Sequence, residues 1–122
     1  MSYEHPIYST YTLPAFALDT TTAALSIRGP SGRKGVLIDL SCVVTVTTTT
    51  NPTVITLGDA TDADAYGTLT VAAVTAASTA IYSAVITDTD DNMMPADTTI
   101  ILVSDAGAAA GDGDIVMTIA WI

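Results

Sequence analysis

The sequence predicts an all-β protein, an antiparallel β-sandwich of jelly-roll type with about eight strands. Two observations support this prediction. Apolar and polar side chains alternate with a period of two, most clearly over residues 35–47. Short runs rich in β-branched residues are also separated by clusters of Gly, Pro, Asn and Asp, which form turns. With 122 residues, 49% of them hydrophobic, the chain is long enough for a single domain with one core.

In chain order, we expect strands at residues 13–18, 23–28, 35–47, 53–57, 68–73, 80–87, 98–104 and 114–122. The third of these is much longer than the usual strand of about 5–6 residues, so we expect it to bend or to cross between sheet edges. An Ala-rich helix over 71–85 is the competing interpretation. The Thr and Ser residues there, and the lack of long charged helix formers, favour a strand, a turn and a second strand.

One face of the alternating strands is predicted to form the core. Over residues 35–47 we place the even-numbered apolar side chains, which include Val46, on one side of the strand. The predicted core residues are Val36, Ile38, Leu40, Val44, Leu69, Val71, Ile100, Leu102, Ile115, Met117 and Ile119.

The N-terminal residues differ from the rest of the chain. We divide the chain into an extended arm, residues 1–16, and a sandwich domain, residues 17–122. The arm holds three of the five tyrosines and two prolines, Pro6 and Pro14, which interrupt regular pairing. Two placements are open: the arm reaches a partner, or it lies along its own domain as an edge strand.

The residues offer little for catalysis. His5 is the only histidine and Cys42 the only cysteine, so neither a nucleophile–base–orienter set nor a closed zinc site can be assembled. Cys42 is predicted on an apolar strand face, where a thiol stays protonated. We therefore expect a protein that is not an enzyme and that carries no cofactor.

The carboxylates raise the question of calcium. Residues 88–92, Asp-Thr-Asp-Asp-Asn, begin like an EF-hand loop, but Met93 replaces the required Gly and Thr99 the bidentate Glu. Two further acidic groups, Asp59 with Asp62 and Asp64, and Asp112 with Asp114, fit either turn formation or an irregular calcium site.

The charge distribution is one-sided. Thirteen acidic residues and three basic ones give a net charge of −10, which disfavours nucleic-acid binding. All three cations, Arg28, Arg33 and Lys34, fall in one Gly/Pro-rich turn that could orient docking or could be a solvated loop. The longest uncharged stretches are interrupted by polar residues, so we expect no membrane span. We also expect no signal peptide, and synthesis in a cytoplasm.

The second half of the chain resembles a known family. The segments that carry the resemblance are residues 67–71, the Ala/Thr turn 75–79, and residues 80–86, 94–98, 99–104 and 114–122. Their succession of strands and turns is similar to that of the small β-sandwich head decoration, or cement, proteins of tailed bacteriophages. The resemblance implies a non-enzymatic virion protein, a homo-trimer on the outer capsid surface that bridges subunits of the major capsid protein.

The candidate partner-binding residues come from the arm and the basic turn. They are Tyr3, Tyr8, Tyr11, Phe16, Arg28, Arg33 and Lys34. The alternative function is a carbohydrate-binding or adhesin-like β-sandwich module of a fibre or surface layer, which would need an exposed aromatic platform.

Overall fold

The computed structural model describes residues 5–19, 24–82 and 93–122. These ranges contain eight strands in two four-stranded antiparallel sheets that pack together, which confirms the predicted all-β sandwich. The strands are β1 Ile7–Ala17, β2 Ala24–Ile27, β3 Gly35–Thr49, β4 Thr53–Gly58, β5 Gly67–Val71, β6 Ala80–Tyr82, β7 Ile100–Ser104 and β8 Ala110–Trp121. The first sheet has the order β1-β8-β3-β6 and the second the order β2-β7-β4-β5.

The Ala-rich segment is not helical where it is described. Residues 72–79 form the loop between β5 and β6, and residues 83–87 of the predicted strand 80–87 lie outside the described residues. The described ranges include no helix of the length and apolarity that crossing a membrane requires.

Strands β3 and β8 form the centre of the first sheet and pair along most of their length, from Gly35 opposite Trp121 to Thr49 opposite Ala110. The register shifts between Leu37 and Asp39, where β3 carries an extra residue. β3 has two more such register shifts, which bend a strand, and it stays within the first sheet.

The extra residue corrects the predicted face of β3. Because side chains alternate, one inserted residue exchanges the two faces of the strand. Leu37 is therefore buried, whereas Ile38 is 47% exposed and Val36 only half-buried. Val46, beyond the next irregularity, is also exposed. Predicting Val36 and Ile38 as core residues was wrong, and so was placing Val46 on the same strand face as Leu40 and Val44.

The rest of the predicted core is confirmed. The buried residues among those predicted are Leu40, Val44, Leu69, Val71, Ile100, Leu102, Ile115, Met117 and Ile119. Trp121 is the largest fully buried side chain, and Gly29 and Gly35 make room for it. A Cβ atom at Gly29 or Gly35 would lie 2.4 or 2.6 Å from its indole ring. Trp121 therefore closes the core at the end of the first sheet.

Residues 7–16 belong to the sandwich instead of forming a separate arm. They are part of β1, which pairs with β8 as an edge strand, so the second of the two placements holds for the described residues. Pro14 is accommodated by a bulge between Leu13 and Phe16, where Ala15 has a φ of 51°. The amide of Ala15 donates to Asp114 Oδ1 at 2.9 Å, which fixes the bulge.

A buried hydroxyl joins three parts of the chain. Thr53, at the start of β4, is fully buried. Its Oγ1 donates to the carbonyl of Leu18 at 2.8 Å and accepts from the amide of Ala108 at 2.9 Å. The end of β1 and the β7–β8 loop are thereby held to the second sheet.

Candidate interaction surface

The basic turn lies at the end of the first sheet where β1 begins and β8 ends. Arg33, which is half-buried, donates from Nη1 to the carbonyl of His5 at 2.9 Å and to that of Trp121 at 3.2 Å. One guanidinium therefore joins the residues before β1 to the last residue of β8. Arg33 supports the local structure, which the sequence interpretation as a docking cation did not foresee.

Arg28 is also engaged within the chain. Its guanidinium donates to the carbonyl of Asp97, and the amide of Gly32 donates to Asp97 Oδ1 at 3.2 Å. Lys34 differs, because its side chain is exposed while its backbone is paired with Ile122 in both directions, at 3.2 and 2.8 Å. Lys34 is therefore the cation of the turn best placed to meet a partner.

Exposed apolar side chains lie beside Lys34. Tyr8, Ala120 and Val36 stand opposite one another across β1, β8 and β3, on the face of the first sheet that points away from the core. Tyr8 is 65% exposed, and Ile38 and Ile122 at the same end are 47% and 44% exposed. We call this surface the corner patch; it consists of Tyr8, Lys34, Val36, Ile38 and Ile122. Ala120, which stands between Tyr8 and Val36, is only 5% exposed and is not part of it.

The structure separates the predicted partner-binding residues. Tyr8 is in the corner patch, beside the turn that holds the three cations. Tyr11 is half-buried and packs against the core, and Phe16 is a core residue only 5% exposed. β1 turns both side chains toward the core, so neither shares the outer face of the sheet with Tyr8. Tyr3 lies outside the described residues.

Sequence reasoning missed three residues of the patch, Val36, Ile38 and Ile122, the first two of which it had placed in the core. The bulge in β3 turns Ile38 outward, and the pairing of Lys34 with Ile122 joins positions 88 residues apart. Only the alternation of residues 114–122 carried a signal, because it set Ile122 on the face opposite Trp121.

A second tyrosine is exposed on the same sheet face. Tyr82, in β6, is 67% exposed and stands opposite Ser41 of β3. Since β6 and β1 are the two edges of the first sheet, Tyr82 and Tyr8 are three strand spacings, about 14 Å, apart across the strands. Tyr8 is level with Val36 of β3 and Tyr82 with Ser41, which adds about 15 Å along the strands, so the two residues are roughly 20 Å apart. They do not form one aromatic platform.

The Asp59 group is used in turn formation. Asp59 Oδ1 accepts from the amides of Thr61 and Asp62 at 2.9 Å, and Oδ2 accepts from the Tyr66 hydroxyl at 2.5 Å. These hydrogen bonds, the Tyr66 one most of all, lower the pKa of Asp59, whereas the neighbouring Asp64 raises the pKa of Asp62. The described ranges hold no group of three or more metal-binding side chains, and residues 88–92 lie outside them.

Cys42 is fully buried on the core face of β3. Burial, and to a smaller extent the charge of Asp114, raises the pKa of its thiol to about 11. A thiol of this kind is protonated at neutral pH and is a poor nucleophile.

Comparison with known proteins shows the fold alone. No family model and no curated protein matches the sequence. Among solved structures, a chain of the capsid asymmetric unit of cyanophage Pam1 is similar at a TM-score of 0.54 and 16% identity, over 99% of this chain and 88% of that one. A chain from the disulfide-linked pili of Bacillus endospore appendages is similar at a TM-score of 0.48 and 18% identity, over 98% and 90%.

Proposed function

We propose that this protein is a non-enzymatic structural protein of a bacteriophage virion that attaches to the outer capsid surface through its corner patch. The observation that carries the proposal is the position of Tyr8, Ile38 and Ile122 beside the exposed Lys34, on a molecule whose net charge is −10. The fold shared with a chain of a cyanophage capsid supports the proposal, as does the resemblance of the second half of the chain to decoration proteins.

The patch has the composition of a protein contact. Tyrosine contributes a large contact area with little loss of rotamer freedom, and buried tyrosines are frequent hot spots. A lysine at the rim of such a contact acts mainly on the association rate, through attraction to acidic groups on the partner. Attachment should therefore depend on Tyr8 for its lifetime and on Lys34 for its rate and salt dependence.

The finer features of the proposal come from the resemblance and the strand order. We assign a jelly-roll connectivity, because consecutive strands lie in different sheets everywhere except at the β4–β5 pair. The partner would be the major capsid protein, with the chain bridging neighbouring subunits as a homo-trimer. The proposed function involves no nucleic acid, no membrane and no cofactor. Assembly would take place in the host cytoplasm.

Two features support a role without catalysis. The thiol of Cys42 is buried and protonated. His5 precedes β1, and its carbonyl is held by Arg33. Within residues 5–19, 24–82 and 93–122, neither side chain is hydrogen-bonded to a group that would activate a nucleophile.

The test uses capsids of the encoding virus that lack this protein, titrated with the purified full chain. Tyr8→Ala should weaken attachment at least tenfold, mainly by faster release. Tyr82→Ala is the matched control, because it removes an equally exposed tyrosine from the opposite edge of the same sheet face. Equal loss in both variants, or in neither, would contradict docking through the corner patch.

One observation favours a second candidate, the carbohydrate-binding module. Tyr8 and Tyr82 are both exposed on one sheet face, and either ring could stack on a sugar. Their separation of roughly 20 Å limits each to its own sugar unit. Binding of a glycan that Tyr8→Ala or Tyr82→Ala abolishes, without any attachment to capsids, would favour this candidate.

A further inference from the structure

The outer edge of β1 stands out from the other sheet edges. β1 has eleven residues, whereas the other edge strands in the described chain, β2, β5 and β6, have four, five and three. Among the described residues β1 pairs only with β8. Long sheet edges are usually protected by charges or prolines, since their unpaired amides and carbonyls can pair with another chain.

β1 has little of this protection. Its eleven residues, Ile-Tyr-Ser-Thr-Tyr-Thr-Leu-Pro-Ala-Phe-Ala, include no charged side chain, although the chain as a whole has sixteen. Pro14 and the bulge beside it interrupt the edge at its far end. The regular part of the edge, continuous in its register with β8, is therefore Ile7 to Leu13.

We propose that two copies of this chain associate by antiparallel pairing of β1 with β1 of the partner subunit, about a two-fold axis at Thr10. Thr10 is the middle of the regular edge, so this register uses all seven residues in both copies. The two four-stranded sheets would join into one continuous sheet of eight strands.

The edge is complementary to itself in this register. On the core side, Ile7 would face Leu13 of the partner subunit, which places apolar beside apolar. On the outer side, Tyr8 would face Thr12 of the partner subunit, and Thr10 would face its own copy. Aromatic–threonine and threonine–threonine pairs of this kind stabilise antiparallel strands, and a self-complementary edge is what a two-fold contact requires.

Charge favours a second copy at this edge over contact elsewhere. Two molecules of net charge −10 repel each other, and an uncharged strand lets them meet without placing carboxylates opposite one another. Added salt should therefore tighten the dimer, because it screens the repulsion between the two bodies. This two-fold contact differs from the three-fold association that the resemblance implies. Dimers would form from the purified chain alone, without a capsid.

The first experiment is sedimentation equilibrium of the purified full chain over a range of concentrations. We expect a mass of twice 12.5 kDa at high concentration. Thr10→Lys, which puts like charges together at the axis, should raise the dimer dissociation constant at least tenfold. Thr70→Lys, at an exposed position of the second sheet, adds the same charge and should leave the constant unchanged.

The second experiment is disulfide cross-linking, which decides the register if Thr10→Lys disturbs folding. Cys42 is buried, so a new cysteine on β1 is the accessible thiol. Thr10→Cys should form a dimer disulfide on oxidation. Thr12→Cys should not, because the two copies of residue 12 would be about 13 Å apart along the strands, beyond disulfide reach. A monomer at all concentrations, a trimer, a dimer unaffected by Thr10→Lys, or equal cross-linking of both cysteine variants would overturn the inference.

Discussion

The buried hydroxyl of Thr53 is the clearest point at which one atom supports the fold. Thr53→Val keeps the shape of the side chain but removes the group that donates to the Leu18 carbonyl and accepts from the Ala108 amide. Each of these backbone groups would be left buried and unpaired, at a cost of about 1–3 kcal/mol. Together the two groups cost about 2–6 kcal/mol. The added methyl group returns about 1 kcal/mol, so we expect a net loss of roughly 1–5 kcal/mol.

Urea unfolding followed by far-UV circular dichroism measures this loss. With a slope of about 2 kcal/mol per molar urea, the middle of the usual range, the midpoint should fall by roughly 0.5–2.5 M. Thr70→Val is the control, because Thr70 is exposed in a neighbouring strand and its change should stay within about 0.5 kcal/mol. Equal midpoints for Thr53→Val and Thr70→Val would refute the reasoning that the hydroxyl satisfies buried backbone groups.

Three further predictions concern packing and titration. Gly113→Ala should destabilise the protein, because the new Cβ would lie 2.4 Å from Cys42 Sγ. Adding Cys42→Ala removes that sulfur and should recover part of the lost unfolding free energy, which a double-mutant cycle measures. The folded state keeps the Cys42 thiol protonated up to about pH 11, so the free energy of unfolding should fall as pH rises from about 9 to 11. Urea midpoints measured across that range should fall less in Cys42→Ala, which has no thiol to titrate. Because the pKa of Asp59 is lowered in the folded state, its carboxylate stabilises the fold at pH values above its ordinary pKa of 3.8. This contribution is lost as pH falls through the lowered pKa, so the free energy of unfolding of Asp59→Asn should decrease less steeply with falling pH than that of the unchanged protein.

Periodicity predicted the strands but not the phase of β3. Leu37 and Ile38 are both apolar, so the sequence favours neither as the core-facing residue. The choice is made by the extra residue opposite β8, which depends on pairing between distant segments. From Leu40 to Val44, beyond the bulge, the predicted face was correct.

Proline was given too much weight at the N-terminus. Pro14 favoured an arm outside the sandwich, but an edge strand can accommodate a proline at a bulge, here with Ala15 in a left-handed conformation and Asp114 holding its amide. Deleting residues 1–12 would thus remove half of a strand that pairs with the centre of the first sheet. Loss of attachment after such a deletion would not separate docking from folding.

The candidate site was predictable only in its parts. Clustering of the three cations is visible in the sequence, as is the aromatic character of the first strand. The cations and the first strand come close to Ile38 and Ile122 only because the backbone of Lys34 pairs with that of Ile122. Local patterns carry no information on such long-range pairing, and they likewise give no sign that Arg33 binds backbone carbonyls.

Docking through the corner patch is tested most directly by a cryo-electron microscopy map of capsids decorated with the full-length protein. The orientation of the sandwich in the map shows which surface meets the capsid. We predict that the end of the first sheet bearing Tyr8, Lys34 and Ile122 lies against the major capsid subunits, with the loop of residues 72–79 pointing away from them. A map in which the second sheet or that loop makes the contact, while Tyr8 remains exposed to solvent, would contradict the account.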